Sequence, residues 1–247
     1  MEDVAPGAAA ARRVPPRDRL IVALDVPNAT DARRLIDVLG DAVSFYKVGL
    51  ELCMSGGYFP LIDELVKRGK RVFADVKLFD VPETVRAAVR ALHGRGITFL
   101  TVHGNQAMME AAASDKGDLR ILAVTVLTSL DRGDLDDLGF QCDVAALVAS
   151  RAKRAMQAGC DGVIASGLEA PLIRQELGER LLVVTPGIRP VENRPVDDQK
   201  RTVDVAAAFR NGADYIVVGR PIRNAVDPRA AAEAVQTTIA GIFPNAA

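Results

Sequence analysis

The chain has 247 residues and a formal net charge of -1, with 49% apolar residues, 4% aromatic residues and no Trp. This balance gives no global electrostatic case for binding nucleic acid or an anionic membrane, and any bound anion has to be held locally. The length is large for an ordinary domain but suits one α/β barrel whose core is built from Val, Leu, Ile and Ala.

Residues 1–17 are rich in Ala, Pro and Arg and carry Glu2 and Asp3 where a signal peptide needs positive charge. A disordered tail ahead of a catalytic domain over 18–247 is expected. From there short β-branched runs alternate with helical patterns. Strands are predicted at Leu20–Asp25, Ser44–Val48, Arg71–Lys77, Thr98–His103, Arg120–Val126, Gly162–Ser166, Leu181–Pro186 and Tyr215–Gly219. Helices are predicted at Ala32–Leu39, Pro60–Arg68, Pro82–His93, Asp143–Ala158 and Val205–Asn211. Gly40, Gly69, Gly94, Gly159 and Gly212 stand where left-handed caps would end helices. Eight strand–helix units predict a single-domain (β/α)8 TIM barrel. The alternative is a doubly wound open sheet, but no Gly-x-Gly-x-x-Gly follows the first strand.

No stretch is long and apolar enough to span a bilayer, and a soluble, cytoplasmic protein is expected. Cys53, Cys142 and Cys160 are widely spaced, and His93 and His103 are the only histidines. Neither a zinc site nor a disulfide framework is expected from such spacing. His103 reads as a wall residue, His93 as a helix-end residue favoured by the dipole, and Cys53 as apolar filler. Asp131, Asp134, Asp136 and Asp137 lack the spacing of a calcium loop and read as a solvated loop. The connections Leu127–Gln141 and Gly187–Arg201 are long enough to be binding loops or lids.

The third strand runs Phe73-Ala-Asp75-Val-Lys77 and leads into Asp80-Val-Pro82-Glu-Thr84. Alternation puts Phe73, Asp75 and Lys77 on one face, which is either a structural ion pair or a reaction site. In a barrel the C-terminal strand ends form one mouth. Those ends carry Asp25, Lys47, Asp75 with Lys77, His103, Thr128 with Ser129, Gly187 with Arg189, and Gly219 with Arg220. Convergence of so many charges on one face favours a reaction site. The Gly219-Arg220 step after the last strand suits phosphate, through close backbone approach and a charge-assisted contact.

The segments LIVALDVP at 20–27, FYKVGLEL at 45–52, DVKLFDVPETV at 75–85, VTVLTS at 124–129, VTPGIRP at 184–190, DDQKR at 197–201 and VVGRPI at 217–222 occur in this order. Together they resemble the orotidine 5′-phosphate decarboxylase family in its bacterial form, over nearly the whole chain from Arg19 onward. Phe79 stands where many members carry His, Glu83 where Asn is common, and Val203-Asp204 where Thr-Pro is frequent. The resemblance implies cofactor-free and metal-free decarboxylation of orotidine 5′-phosphate to UMP, in de novo pyrimidine biosynthesis. Lys77 would stabilise and then protonate a carbanion at C6, with Asp75 and Asp80 keeping it charged. Asp75 would also crowd the substrate carboxylate. Lys47 would hold Asp75 and reach the ribose, and Asp25 would accept a ribose hydroxyl. Thr128 and Ser129 would contact the pyrimidine, and Arg189, Gln199, Gly219 and Arg220 the phosphate. Asp80 and Thr84 would enter the partner's site, so that a homodimer is expected.

A Mg2+-dependent sugar-phosphate lyase of the same superfamily shares the Asp-x-Lys pair but lacks the Pro82–Thr84 pattern. An epimerase on the same barrel would need more His ligands than two. A non-catalytic phosphate-ligand binder would have no use for Lys47, Asp75, Lys77 and Asp80 together.

Overall fold

The computed structural model describes residues 14–189 and 201–244. Eight parallel strands close a barrel in sequential order. They are β1 (Leu20–Ala23), β2 (Phe45–Gly49), β3 (Arg71–Leu78), β4 (Ile97–His103), β5 (Arg120–Val124), β6 (Gly162–Ile164), β7 (Leu182–Thr185) and β8 (Tyr215–Val218). Closure is made by β8 on β1, with Leu20 opposite Ile216 and Val22 opposite Val218. That pairing rules out the open doubly wound sheet.

Alternation along each strand sorts side chains into two cores. Val22, Tyr46, Ala74, Leu100 and Ala123 face the surrounding helices, in a cluster that includes Ile36, Leu61 and Ile173. Ile21, Phe45, Phe73, Phe99, Leu122, Val184 and Tyr215 fill the interior. Few aromatics are available, and four of them meet there. Phe99 packs 5.2 Å from both Phe45 and Tyr215 and 5.9 Å from Phe73. This plug closes the barrel below the mouth, so Lys47 and Asp75, two positions past Phe45 and Phe73, sit on an apolar floor.

The helices end as their glycines require. Gly40, Gly69, Gly94, Gly159 and Gly212 all have positive φ, where a Cβ would be strained. Each observed strand starts and stops within two residues of the predicted one. β1 stops at Ala23 because the Val26 N–H turns back to Leu24 O at 3.0 Å, which leaves Asp25 at the rim.

Three expectations change. Of the tail expected over 1–17, residues 14–17 belong to the folded body. Val14 is buried against the interior cluster, and Pro16–Arg19 form a 3-10 turn. Asp131 and Asp134 are not a solvated loop but a capping box on the helix Arg132–Asp137. His93 lies past its helix, which ends at Arg90, and its ring nitrogen meets the Asp115 carbonyl oxygen at 2.6 Å, tying the end of that helix to the end of the next one, Gln106–Ser114. Among the described residues, no helix is long and apolar enough to cross a membrane.

Candidate active site

Above the aromatic plug lies a cavity of about 910 Å³. Asp25 just past β1, Lys47 on β2, and Asp75 and Lys77 on β3 line one side. Lys47 Nζ donates to Asp25 Oδ1 at 2.8 Å and lies 3.3 Å from Asp75 Oδ2. Lys77 Nζ donates to Asp75 Oδ1 at 2.9 Å. The result is a row of alternating charge, Asp25–Lys47–Asp75–Lys77, running across three strands. Asp75 and Lys47 are nearly buried, while Lys77 keeps 29% of its side chain exposed toward the cavity.

Burial raises the cost of ionising Asp75, but Lys47, Lys77 and two hydrogen bonds outweigh it and hold the carboxyl below its ordinary range. Burial likewise pulls Lys47 down, yet Asp75 and Asp25 outweigh it and raise its ammonium above the usual value. Both shifts favour the ionised forms. A carboxylate held low is neutralised only in acid, and an ammonium held high only in strong alkali, so the buried Lys47–Asp75 pair stays charged across the physiological range.

Gly49 makes room for this row. A Cβ there would lie 3.1 Å from Lys47 Nζ and 3.2 Å from Asp25 Oδ1, closer than side chains accept without moving. Backbone geometry also marks Lys77, whose φ of 49° is the only positive value at a non-glycine position among the described residues.

The other walls carry the remaining predicted residues. Thr128 and Ser129 follow β5, Arg189 follows β7, and Gly219 and Arg220 follow β8; all five line the same cavity. Gly219 precedes the short helix Arg220–Arg223. Arg189 is buried, and its backbone N–H donates to Val203 O at 2.9 Å while Val203 N–H returns to Gly187 O at 3.2 Å. Gln199 lies outside the described residues.

Asp80 and Thr84 are not brought into this cavity within the chain. They line a second hollow of about 690 Å³ beside Leu50, Met54 and Phe79. Lys77 alone of the charged row borders both spaces, and Lys77 pairs with Asp75 rather than Asp80. The Asp80 carboxylate instead accepts from Val81 N–H at 2.7 Å.

His103 stands beside Phe79, ring centres 4.9 Å apart. Burial first, then Arg151 and Lys77, lower its pKa and keep it neutral, in keeping with a wall residue. The family departures have local uses. Asp204 caps the helix Val205–Arg210 by accepting from Ala207 N–H at 2.7 Å, Val203 is buried, and Glu83 pairs with Arg86 at 3.3 Å.

Sequence reasoning passed over three contributors. Besides Gly49, the hydroxyl of Thr101 on β4 touches Asp75. A buried ion pair joins Arg201 to Glu169 at 2.8 Å, and the same guanidinium donates to Leu127 O at 2.8 Å just before Thr128. Thr101 could have been found, since it occupies an interior-facing position where every charged neighbour needs a partner. The Glu169 pair has no local sequence signal.

The profile of the Orotidine 5'-phosphate decarboxylase / HUMPS family matches residues 18–235. A protein of Methylococcus capsulatus named orotidine 5'-phosphate decarboxylase is 66% identical over 230 residues, 93% of this chain and 95% of that protein. One of the same name from Stenotrophomonas maltophilia is 54% identical over 226 residues, covering 90% of this chain and 93% of the relative. The crystal structure of orotidine 5'-phosphate decarboxylase from Lactobacillus acidophilus superposes with a TM-score of 0.79 at 36% identity, covering 90% of this chain and 99% of that one.

Proposed function

The chain belongs to the orotidine 5'-phosphate decarboxylase / HUMPS family, and from that premise we propose that it converts orotidine 5′-phosphate to UMP and CO2 without a cofactor, with Lys77 as proton donor. The observation that carries this reading is the row Asp25–Lys47–Asp75–Lys77 at the barrel mouth, with contacts of 2.8, 3.3 and 2.9 Å.

The bond from C6 to the carboxylate breaks, CO2 leaves, and the electron pair stays at C6. An sp2 carbon has no conjugated sink for that pair, so a fixed ammonium has to stabilise it. Lys77 Nζ then gives its proton to C6 and is left as the amine. Asp75 orients Lys77 and stands near the place of the substrate carboxylate, and Lys47 keeps Asp75 ionised. Asp25 and Lys47 take the ribose hydroxyls, Thr128 and Ser129 the pyrimidine, and Arg189, Gln199, Gly219 and Arg220 the phosphate. Phosphate contacts remote from C6 supply binding energy that can be spent on organising the charged row.

The working unit in this reading is a homodimer whose Asp80 and Thr84 complete the neighbouring site. The second hollow supports it: Leu50, Met54, Phe79 and Val81 are 49 to 77% exposed around Asp80, an apolar patch that a second copy would cover. The catalytic domain is taken to begin at Val14, and the enzyme is taken as cytoplasmic. The Mg2+-dependent lyase is less well supported, because Lys47 contacts both Asp25 and Asp75 and would compete with a cation for them.

Orotidine 5′-phosphate absorbance is to be followed with purified protein in excess EDTA. Rapid conversion to UMP is expected. No conversion, even with metal restored to folded protein, would transfer the reading to the sugar-phosphate relatives or to a binder. Lys77→Ala should abolish turnover while leaving circular dichroism unchanged, and retained turnover would remove Lys77 from the proposed role.

A further inference from the structure

Thr101 is fully buried on β4 between the interior-facing Phe99 and the rim residue His103. Its hydroxyl oxygen accepts a hydrogen bond from the Lys77 backbone N–H at 3.0 Å. The same hydroxyl donates to Asp75 Oδ1 at 3.0 Å, the oxygen that also accepts from Lys77 Nζ at 2.9 Å. One side chain thus touches both the backbone of the lysine and the carboxylate that pairs with its ammonium.

The register explains why such a contact is needed. Ala74 pairs with Leu100 and Leu78 with Val102, so β3 spends two residues more than β4 over this stretch. The extra residues bulge and lose their ladder partners. Lys77 lies in that bulge, with its φ of 49°. A bulky L-residue holds this conformation only where its surroundings fix it, and its N–H needs an acceptor that the strand no longer supplies. The Thr101 hydroxyl supplies it, on a β-branched side chain with little rotamer freedom.

We propose that Thr101 is a positioning residue for the reaction: its hydroxyl locks Lys77 in the left-handed bulge and fixes the Asp75 carboxylate, so that the ammonium is presented to the cavity in one orientation. The proposal rests on the reading of Lys77 as proton donor. Other charged groups around Asp75 are Lys47 on β2 and Lys77 itself on β3. Thr101 supplies the neutral contact from β4.

Thr101→Ser and Thr101→Ala lose the same methyl group and differ by one hydroxyl, and Thr101→Val keeps the shape without the hydroxyl. The three are to be assayed beside the wild type for kcat and KM with orotidine 5′-phosphate, and for the Kd of UMP. Thr101→Ser should stay within about threefold of the wild-type kcat, whereas Ala and Val should both fall about 10- to 100-fold, the usual effect of losing a hydrogen bond to a charged group. The Kd of UMP should move by less than about threefold in all three, because ground-state binding is left intact. A residue that only fills space predicts the reverse order, with Val near wild type and Ser as low as Ala. Equal kcat for Ser and Ala overturns the proposal, and that pair decides even if the Val variant does not fold. An inactive wild type would instead sink the decarboxylase reading, and the positioning role with it.

Discussion

At the scale of single residues, the site separates groups by what surrounds them. Lys47 and Asp75 lie in a nearly closed space where each charge is affordable only because the other is there. The proposed phosphate side is different in kind. Arg220 sits at the start of a short helix after β8 and lines the same cavity as Asp75, and in the proposed reading it holds the phosphate rather than acting at C6. Its contribution is then to binding. Arg220→Ala should raise KM for orotidine 5′-phosphate by about 10- to 100-fold, the scale of one charge-assisted contact, with a smaller effect on kcat. The same variant should lose little toward the unphosphorylated nucleoside. Equal losses on both substrates would place Arg220 outside the phosphate contact.

At the scale of elements, most of the barrel was legible because its signals are local. An apolar run of four to eight residues, a glycine past the helix, and a charge at the strand end all lie within one stretch of chain. What escaped is what two distant stretches make together. The bulge in β3 exists only against β4, and Thr101 meets Asp75 across 26 residues. The Glu169–Arg201 pair likewise joins two separate loops. Val14 escaped for another reason: it is one apolar residue in a polar, proline-rich stretch, and only the closed barrel shows it a place. Element packing also gives a testable demand at Gly162, which begins β6 between Leu122 and Leu182. A Cβ there would meet Leu182 O at 2.6 Å and Leu122 Cδ2 at 2.8 Å. Backbone and two packed leucines cannot all yield, so Gly162→Ala should destabilise the fold by about 1–3 kcal/mol and lower Tm by several degrees. An unchanged Tm would show that the interior layer yields more easily than its contacts imply.

At the scale of the whole molecule, the two hollows pose one question. Lys77 borders both, yet the carboxylate expected beside it, Asp80, faces outward with Thr84 among exposed apolar side chains. A two-fold interface repeats the same patch on both subunits, so whatever Asp80 of one copy gives to its neighbour is returned. Each complete site would then take Lys77 from one chain and Asp80 from the other. Lys77→Ala and Asp80→Ala homodimers should each be nearly inactive. When the two are mixed and allowed to exchange, half the dimers are hybrids. In each hybrid one site collects both mutations and the other collects neither. Activity should therefore return to about a quarter of the wild-type level for equal stocks. It should do so with the time course of subunit exchange followed by size or fluorescence. If Asp80 served its own chain, every site in every hybrid would still carry one mutation, and mixing would recover nothing.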